Sequence, residues 1–330
     1  MSQDNNVTEE KYVEREQVTV KAVAPEYIKY KKAKKLTHHV SAGNIAFKIF
    51  LFLFMAIFLI ITLYPVINTL ALSFNDGIDA VRGGIYLVPR KFATKNFRTV
   101  LDIENFPVGT KISILRTVIG TLSSLLVNAL LAFVVSRKRY LFKSQMSFFW
   151  VLTMYVNGGL IPVFVLYKSL GFTNSFWVYI VPGMISAWNM LVMRTYMNGL
   201  PDSLEESAQL DGAGYWTIFL KIISPLCKPI YATIALFVAV GQWNSWFDAM
   251  LYNKTSAIYT TMQYELMKLL SSVMQQSSSA DTAKNNAAAT VTPVTVRAAA
   301  TVVTMLPIIC LYPFLQRYFV TGLTIGGVKE

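Results

Sequence analysis

The stretch Glu205-Glu206-Ser207-Ala208-Gln209-Leu210-Asp211-Gly212 is followed, after nine further residues, by Ile222-Ile223-Ser224-Pro225. This polar, acidic stretch lies between two long apolar segments. Cytoplasmic loops of membrane proteins usually carry Lys and Arg rather than carboxylates. The loop therefore indicates a surface that docks onto a basic partner, and its acidic residues are Asp202, Glu205, Glu206 and Asp211.

The loop extends over about residues 199–225, and its local pattern predicts a short helix within it. Pro201 suits the first helical turn, and Asp202 or Ser203 suits the N-cap. Gly212 suits the end of the helix, because glycine adopts a left-handed backbone at the lowest cost. The apolar side chains of the predicted helix would contact the partner, and they are Leu204, Ala208 and Leu210. An ordinary amphipathic loop helix with a glycine cap is the alternative.

Composition indicates a membrane protein. Of the 330 residues, 54% are hydrophobic and only 15% are charged, whereas soluble domains carry about 25% charged residues. The net charge of +12 could suggest nucleic acid as a partner. However, the basic runs flank apolar segments, and the positive-inside rule explains them better. We therefore expect membrane lipid, and no nucleic acid, as a partner.

Six segments are long and apolar enough to cross a membrane, which takes about 20 residues. They cover about residues 48–74, 112–135, 144–167, 176–197, 225–248 and 296–315. The sequence thus predicts an all-α polytopic membrane protein. Gly158-Gly159 before Pro162 makes the third span the one most expected to bend.

Basic residues set the orientation of these spans. They precede span one, lie between spans two and three, and follow span six; examples are Lys31, Lys32, Arg137, Lys138 and Arg317. The rule places these regions and both termini in the cytoplasm. The loop at 75–111 conflicts with this orientation, because it holds six basic residues and should lie outside.

The spans also divide the chain into regions. Residues 1–43 are predicted to be a cytoplasmic tail with a basic helix on the membrane surface. Residues 44–330 are predicted to be the transmembrane domain, with an extracellular loop at about 251–295. Within that loop, residues 261–274 read as an amphipathic helix and residues 275–289 as a Gln- and Ser-rich linker.

Several kinds of chemistry are missing from the sequence. None of the 18 acidic residues falls inside a predicted span, and Asp248 lies at the outer end of span five. Ion-coupled carriers usually place carboxylates or His at the midplane. Arg116 is expected near a span end, where it could snorkel. Phosphate-loop, HExxH and Cys/His metal motifs are absent. We therefore expect no cofactor, no metal and no catalysis in this chain, so active transport would take its energy from another chain.

The acidic loop resembles the motif by which importer permeases of the ATP-binding-cassette (ABC) type engage their ATPase. That motif reads Glu-Ala-Ala, three residues, Gly, nine residues, Ile, one residue, Leu-Pro. The matching residues are Glu206, Ala208, Gly212, Ile222 and Pro225. Ser207 and Ser224 stand where Ala and Leu are usual. Both changes are mild.

From residue 44 to residue 329 the chain resembles carbohydrate ABC importer permeases of the MalG class. Besides the loop, the resemblance rests on Tyr64-Pro65-Val66 with Leu72-Ser73-Phe74, on Trp243-Asn244-Ser245-Trp246, and on the C-terminal residues 316–329. Residues 83–89 and Phe97 are more similar to the LplC-type branch. The loop motif is specific for the superfamily, and the C-terminal signature is specific for the sugar class.

The resemblance implies a type I ABC importer permease fold in a bacterial cell membrane. It implies a second, MalF-like permease, two ABC ATPase subunits that bind ATP and Mg²⁺, and an extracellular solute-binding lipoprotein. The implied cargo is an oligosaccharide or complex glycan. The implied ATPase-coupling residues are Glu205, Glu206, Ala208, Asp211, Gly212 and Pro225.

Candidate substrate contacts are aromatic and amide side chains within the spans, because sugars stack on rings and hydrogen-bond through hydroxyls. They are Asn128, Tyr155, Asn157, Trp188, Asn189, Gln242, Trp243, Asn244 and Trp246. Span five is favoured, since four of them cluster there. The alternative is structural, because aromatic residues form interfacial belts and amides bridge helices.

Two other functions stay open on the sequence. The cargo of an ABC permease could be a non-sugar solute such as glycerol phosphate. A carrier or channel that works without ATP is the more distant alternative, and the absence of acidic residues from the spans argues against ion coupling.

Overall fold

The computed structural model describes residues 42–277 and 291–322. The predicted basic surface helix, most of the Gln- and Ser-rich linker and the last residues of the C-terminal signature lie outside these ranges. Within them the chain is helical, and an isolated bridge between Asn75 and Phe92 is the only extended pairing. The predicted all-α class is confirmed.

Three helices are each long and apolar enough to cross a membrane. They are α1 (Ala42–Ser73), α4 (Phe106–Ser136) and α13 (Pro293–Gly322). Three further pairs of elements reach that length together but are bent at a break. These pairs are α5 (Lys143–Tyr155) with α6 (Leu160–Ser169), the 3-10 segment Phe176–Gly183 with α7 (Ala187–Asn198), and α9 (Tyr215–Leu226) with α10 (Lys228–Asn244). Counted with each bent pair as one span, the described residues hold the six spans that the sequence predicted.

Shorter helices lie between these elements. They are α2 (Gly77–Val81), α3 (Lys95–Leu101), α8 (Ser203–Leu210), α11 (Phe247–Tyr252) and α12 (Met262–Ser277). The last of these agrees with the amphipathic helix predicted at 261–274.

The described residues up to Ile61 form a unit separate from the rest of the chain. Here α1 is apolar on every side, and nearly all of its side chains are exposed. A helix that is hydrophobic all round needs lipid or protein around it. This part of α1 is therefore a lipid-facing or partner-facing element.

The third predicted span is bent by 111° between α5 and α6, as expected. Gly159 at the break has a positive φ of 85°, a conformation that favours glycine. The side chain of Asn157 supports the turn by accepting a hydrogen bond from the Gly159 N–H at 2.9 Å.

Spans four and five are less regular than predicted. The fourth is interrupted between Gly183 and Ala187, with a bend of 43°. The fifth begins at Lys228 instead of Pro225, because α9 ends at Leu226 and the chain turns by 78°. Pro229 has no N–H to donate to the carbonyl of residue 225, and this missing bond favours a kink or break at this point.

Helix α4 is central to the larger unit and packs against α7, α10 and α12. Its inward side chains, such as Ala132 and Phe133, join Met190, Met193 and Ile234 in one buried cluster. The loops at the C-terminal end of α4 and the acidic loop share one end of the bundle, here called the acidic end. The N-terminal end of α4, with α2 and α3, forms the opposite end.

Candidate functional site

The acidic helix α8 ends in a tightly bonded turn. The Ala213 N–H donates to the Ala208 carbonyl at 2.9 Å, and the Gly212 N–H donates to the Gln209 carbonyl at 3.0 Å. This pair of bonds is the Schellman motif, which requires a left-handed residue at its centre. Gly212 is that residue, with φ of 78°. The predicted glycine end of the helix is confirmed.

The N-terminal end of α8 differs from the expectation. Asp202 is at the N-cap position, but its side chain caps no helix N–H. Instead its carboxylate lies 2.5 Å from the Lys138 ammonium. This hydrogen-bonded carboxylate raises the pKa of Lys138 above its ordinary value. Asp202 thus links α8 to the loop that follows α4.

Glu205 makes a second link to the same loop. Its carboxylate forms an ion pair with the guanidinium of Arg137, the residue that caps the C-terminal end of α4. Both side chains are mostly buried. The Arg137 guanidinium also lies over the Phe133 ring at 4.8 Å, and Gln209 donates to Glu205 at 3.0 Å. Glu205 therefore faces its own chain.

The exposed face of α8 is narrower than the sequence suggested. Glu206 and Asp211 are exposed and form no ion pair with any residue that the structure describes. Leu210 is 90% exposed. The expectation that Ala208 contributes an apolar contact is wrong, because Ala208 is only 7% exposed and packs into the buried cluster around α4. Pro225 belongs to a different element, α9.

A buried arginine network lies toward the opposite end of α4. Arg116 is 2% exposed, and its guanidinium contacts the Asp248 carboxylate at 2.6 and 3.1 Å. It also donates to Gln242 Oε1 at 2.9 and 3.0 Å and to the Ser245 carbonyl at 3.3 Å. Its other face covers the Tyr179 ring at 4.4 Å. The expectation that Arg116 snorkels at a span end is wrong.

This network borders a cavity of about 410 Å³, here called the polar cavity. Besides Arg116, Gln242, Ser245 and Asp248, its walls include three tyrosines and two glycines, namely Tyr167, Tyr179, Tyr252, Gly183 and Gly241. Gly120 permits this arrangement, because a Cβ there would stand 2.9 Å from the Gln242 amide nitrogen. Ligand pockets typically have about 300–1,000 Å³ and a few convergent polar groups.

Among the predicted substrate contacts, only Gln242 lines the polar cavity. Asn128 is fully buried and bridges two elements instead. Its amide donates to the Met184 carbonyl at 3.0 Å and accepts from the Ser186 N–H at 3.0 Å. Its amide nitrogen also donates to the Ser124 carbonyl at 2.7 Å. The interpretation of Asn128 as an accessible contact is therefore wrong, because its side chain is buried and its amide is already bonded within the protein.

The other candidates of span five serve packing or lie outside the cavity. Trp243 is buried, and its indole donates to the Thr304 carbonyl of α13 at 2.9 Å. Asn244 is exposed and makes one long contact to Gln263 at 3.5 Å. Trp246 packs edge-on against Phe247. The structure thus separates the four residues that the sequence grouped together.

Tyr155 and Trp188 line a second, mostly apolar groove of about 610 Å³ between α5 and α7. Asn157 is exposed at the break after α5, where it holds the turn at Gly159. Asn189 is largely buried in the first turn of α7. These four candidates are therefore not part of the polar cavity.

Sequence reasoning missed Arg116, Tyr167, Tyr179 and Tyr252, and placed Asp248 without a partner. A charged residue ten positions inside a long apolar helix was the available signal for Arg116, since an intramembrane charge usually has a partner. The tyrosines gave no signal, because their positions in sequence do not reveal a shared cavity.

Residues 117–325 match the family model described as "binding-protein-dependent transport system inner membrane component". The chain belongs to this family. The match runs from α4 to the C-terminal segment and includes both α8 and most of the residues around the polar cavity. The chain is accordingly a permease component and a membrane protein, and the resemblance inferred from the sequence is confirmed.

Curated relatives cover nearly the whole permease. It is 33% identical over 288 residues to the polygalacturonan/rhamnogalacturonan transport system permease protein YtcP of Bacillus subtilis, covering 87% of this chain and 99% of that protein. It is 31% identical over 293 residues to the protein LplC of Bacillus subtilis, covering 88% of this chain and 97% of that protein.

A solved structure also matches the permease. It is a chain of a bacterial ABC transporter involved in the import of the acidic polysaccharide alginate, with a TM-score of 0.74 and 29% sequence identity. The match covers 84% of this permease and 98% of that chain. The predicted ABC importer permease fold is confirmed.

Proposed function

We propose that this permease is one of two membrane subunits of an ATP-driven importer of oligosaccharides. The proposed assembly has a second, MalF-like permease, two ATPase subunits that bind ATP and Mg²⁺, and an extracellular solute-binding protein. The observation that supports it best is α8 with its C-cap residue, because Glu206, Leu210 and Asp211 are exposed while Glu205 is paired with Arg137. A relay to an ATPase needs such an exposed but firmly held element.

In this proposal the residues of the acidic loop divide into two roles. Glu206, Leu210 and Asp211 would contact the ATPase. Glu205 would hold α8 against the end of α4 through Arg137, whereas the exposed Asp202–Lys138 pair would add little. Gly212 would fix the direction in which the chain leaves α8, and Pro225 would stiffen α9 before its turn into α10.

The acidic end is proposed to face the cytoplasm, together with both termini. The basic residues 137–139 and 143 lie at this end, which agrees with the positive-inside rule. The basic loop at 75–111 then lies outside. Two of its basic residues are paired with carboxylates, namely Arg90 with Asp79 at 3.1 Å and Arg98 with Asp102 at 3.8 Å.

An oligosaccharide cargo is proposed from the relatives. Their names include transport of polygalacturonan or rhamnogalacturonan, arabino-oligosaccharides and galacto-oligosaccharides. A second alginate importer structure, in complex with a pentasaccharide-bound periplasmic protein, is 15% identical with a TM-score of 0.54 and supports the fold alone. Transport of a non-sugar solute would show that the proposed cargo is wrong.

The test is purification of the tagged permease from its native membrane, followed by reconstitution of what comes with it. We expect a second permease and an ATPase, and ATP hydrolysis stimulated by the loaded binding protein. Uptake would be measured with labelled galacto-oligosaccharides, arabino-oligosaccharides, oligogalacturonides and rhamnogalacturonan oligosaccharides. Transport without any ATPase would overturn the ATP-driven mechanism, and uptake of none of these sugars would overturn the cargo.

Orientation has its own test. In a Cys310→Ala background, Leu210→Cys and Leu87→Cys each place a thiol at an exposed position at one of the two ends of the bundle. A membrane-impermeant maleimide should label Leu87→Cys in intact cells and Leu210→Cys only after permeabilisation. The reverse pattern would show that the acidic end faces outward.

A further inference from the structure

One wall of the polar cavity is charged, and the N–H donors of its arginine, Arg116, are all engaged in hydrogen bonds. A guanidinium has five N–H donors. In Arg116 they serve five contacts, namely two to Gln242, two to Asp248 and one to the Ser245 carbonyl. Arg116 therefore has no donor left for a ligand, and its charge is compensated by Asp248.

Other groups on the same walls do have capacity left. The Asp248 side chain is 24% exposed, and a carboxylate has about four acceptor sites. Its contacts are two from Arg116 and one from the Ala249 N–H at 2.9 Å. The phenol hydroxyls of Tyr167 and Tyr252 form no hydrogen bond with any residue in the described part of the chain.

Space and ring surfaces are also available. The Tyr167 and Tyr252 rings lie with centroids 5.5 Å apart, and Phe164 stacks on Tyr252 at 5.7 Å. Tyr252 is only 9% exposed, so Tyr167, which is half-buried, has the more accessible ring. Gly241, which also lines the cavity, leaves open space, because a Cβ built there would meet nothing within 4 Å. An aromatic wall, free hydroxyl donors and a carboxylate acceptor match the flat faces and hydroxyls of a sugar ring.

We propose that the polar cavity binds one uncharged sugar ring of the transported oligosaccharide, an inference that rests on the proposed function. The ring stacks against Tyr167 beside Tyr252, and its hydroxyls donate to Asp248 and accept from the two phenols. Arg116 is a positioning residue here, since it orients Asp248 and Gln242 without a donor to offer.

The charge of the cavity decides which ring fits. A uronate ring would bring a second carboxylate beside Asp248, while the nearby cation is already paired. Like charges in such a site repel, and an unpaired buried charge is costly. The cavity therefore selects a neutral ring, even when other rings of the same oligosaccharide are acidic.

The first test fills the cavity. Gly241→Leu adds a side chain into open space and replaces glycine within a helix, so α10 is expected to fold. We expect the complex to assemble and uptake of the best wild-type sugar of the panel to fall at least about tenfold. Gly241→Ala should have a smaller effect. An assembled Gly241→Leu transporter with wild-type uptake would overturn the proposal.

The second test removes only hydroxyl groups. Tyr167→Phe with Tyr252→Phe keeps the ring surfaces and should raise the KM for uptake by about threefold to tenfold. Tyr140→Phe, in the loop after α4, is the matched control and should leave uptake unchanged. An unchanged KM in the double variant would overturn the proposed hydroxyl contacts.

Uptake of the four sugars distinguishes failure of this inference from failure of the proposed function. If wild-type transporter takes up none of the sugars, the proposed cargo fails. If it takes up sugars but prefers oligogalacturonides, in which every ring carries a carboxylate, the cargo stands and the neutral ring site fails. We expect preferred uptake of a sugar with at least one uncharged ring.

Discussion

Arg137, at the C-terminal cap of α4, forms an ion pair with Glu205, in the first turn of α8. The same helix carries Arg116 roughly 30 Å away along its axis, where it is paired with Asp248. Helix α4 therefore carries one ion pair at its C-terminal cap and a second one ten positions inside its N-terminal end. Movement of α8 by an ATPase would reach the polar cavity through α4, without a flexible loop between them.

The Arg137–Glu205 pair should be a structural link. Arg137→Gln removes a largely buried charged partner of Glu205, and we expect a loss of about 2 kcal/mol in the free energy of unfolding. The measurement is thermal unfolding of the purified complex, together with its stimulated ATPase activity. Exchange of the charges, Arg137→Glu with Glu205→Arg, should recover part of both.

Lys138→Gln provides the matched control for that experiment. It breaks the neighbouring pair with Asp202, whose side chains are 73% and 55% exposed. Exposed ion pairs contribute little, so we expect no measurable change in the unfolding temperature. Equal effects of Arg137→Gln and Lys138→Gln would contradict the assignment of Arg137–Glu205 as the main link.

Substitution of Glu206 should weaken binding of the ATPase without lowering the stability of the permease. Glu206→Lys reverses an exposed charge that has no ion-pair partner among the described residues, so the isolated permease should unfold at the wild-type temperature. We expect the ATPase to be lost during co-purification and uptake to stop. Normal co-purification of the ATPase with Glu206→Lys would show that this face is not the docking surface.

The free-energy cost of replacing Gly212 should depend only on how readily the new residue adopts a positive φ. A side chain at this position meets no atom within 4 Å, so the cost comes from its φ of 78°. We expect Gly212→Ala to cost about 1 kcal/mol and Gly212→Asn less. Hydrogen exchange of the α8 amides should accelerate about fivefold in Gly212→Ala. Equal exchange in the two variants would contradict this account.

Asn128 should affect stability and leave sugar preference unchanged. Asn128→Leu keeps the size of the side chain but leaves the buried Ser186 N–H and Met184 carbonyl without their partner. We expect a loss of about 2 kcal/mol in the free energy of unfolding. Asn244→Leu, at an exposed position, should change it little. An altered order of preference among sugars for Asn128→Leu would return Asn128 to the substrate pathway.

Much of the fold could be predicted because its signals are local. Six apolar runs predicted the spans, and Gly158-Gly159 before Pro162 predicted the sharp bend between α5 and α6. The break before α7 could not be predicted in the same way. Asn128 of α4 holds this break through bonds to Met184 and Ser186, which lie more than 50 positions later in the sequence.

In the candidate sites too, some features follow from the local sequence and others from contacts between distant residues. The sequence by itself determined that an acidic helix follows span four and ends at Gly212, because glycine's tolerance of positive φ is a property of one residue. Only the tertiary structure decided that Glu205 is paired, that Glu206 has no ion-pair partner in the described part of the chain, and that Arg116 meets Asp248. Those outcomes depend on which distant side chains burial brings together, and a buried charge must find such a partner.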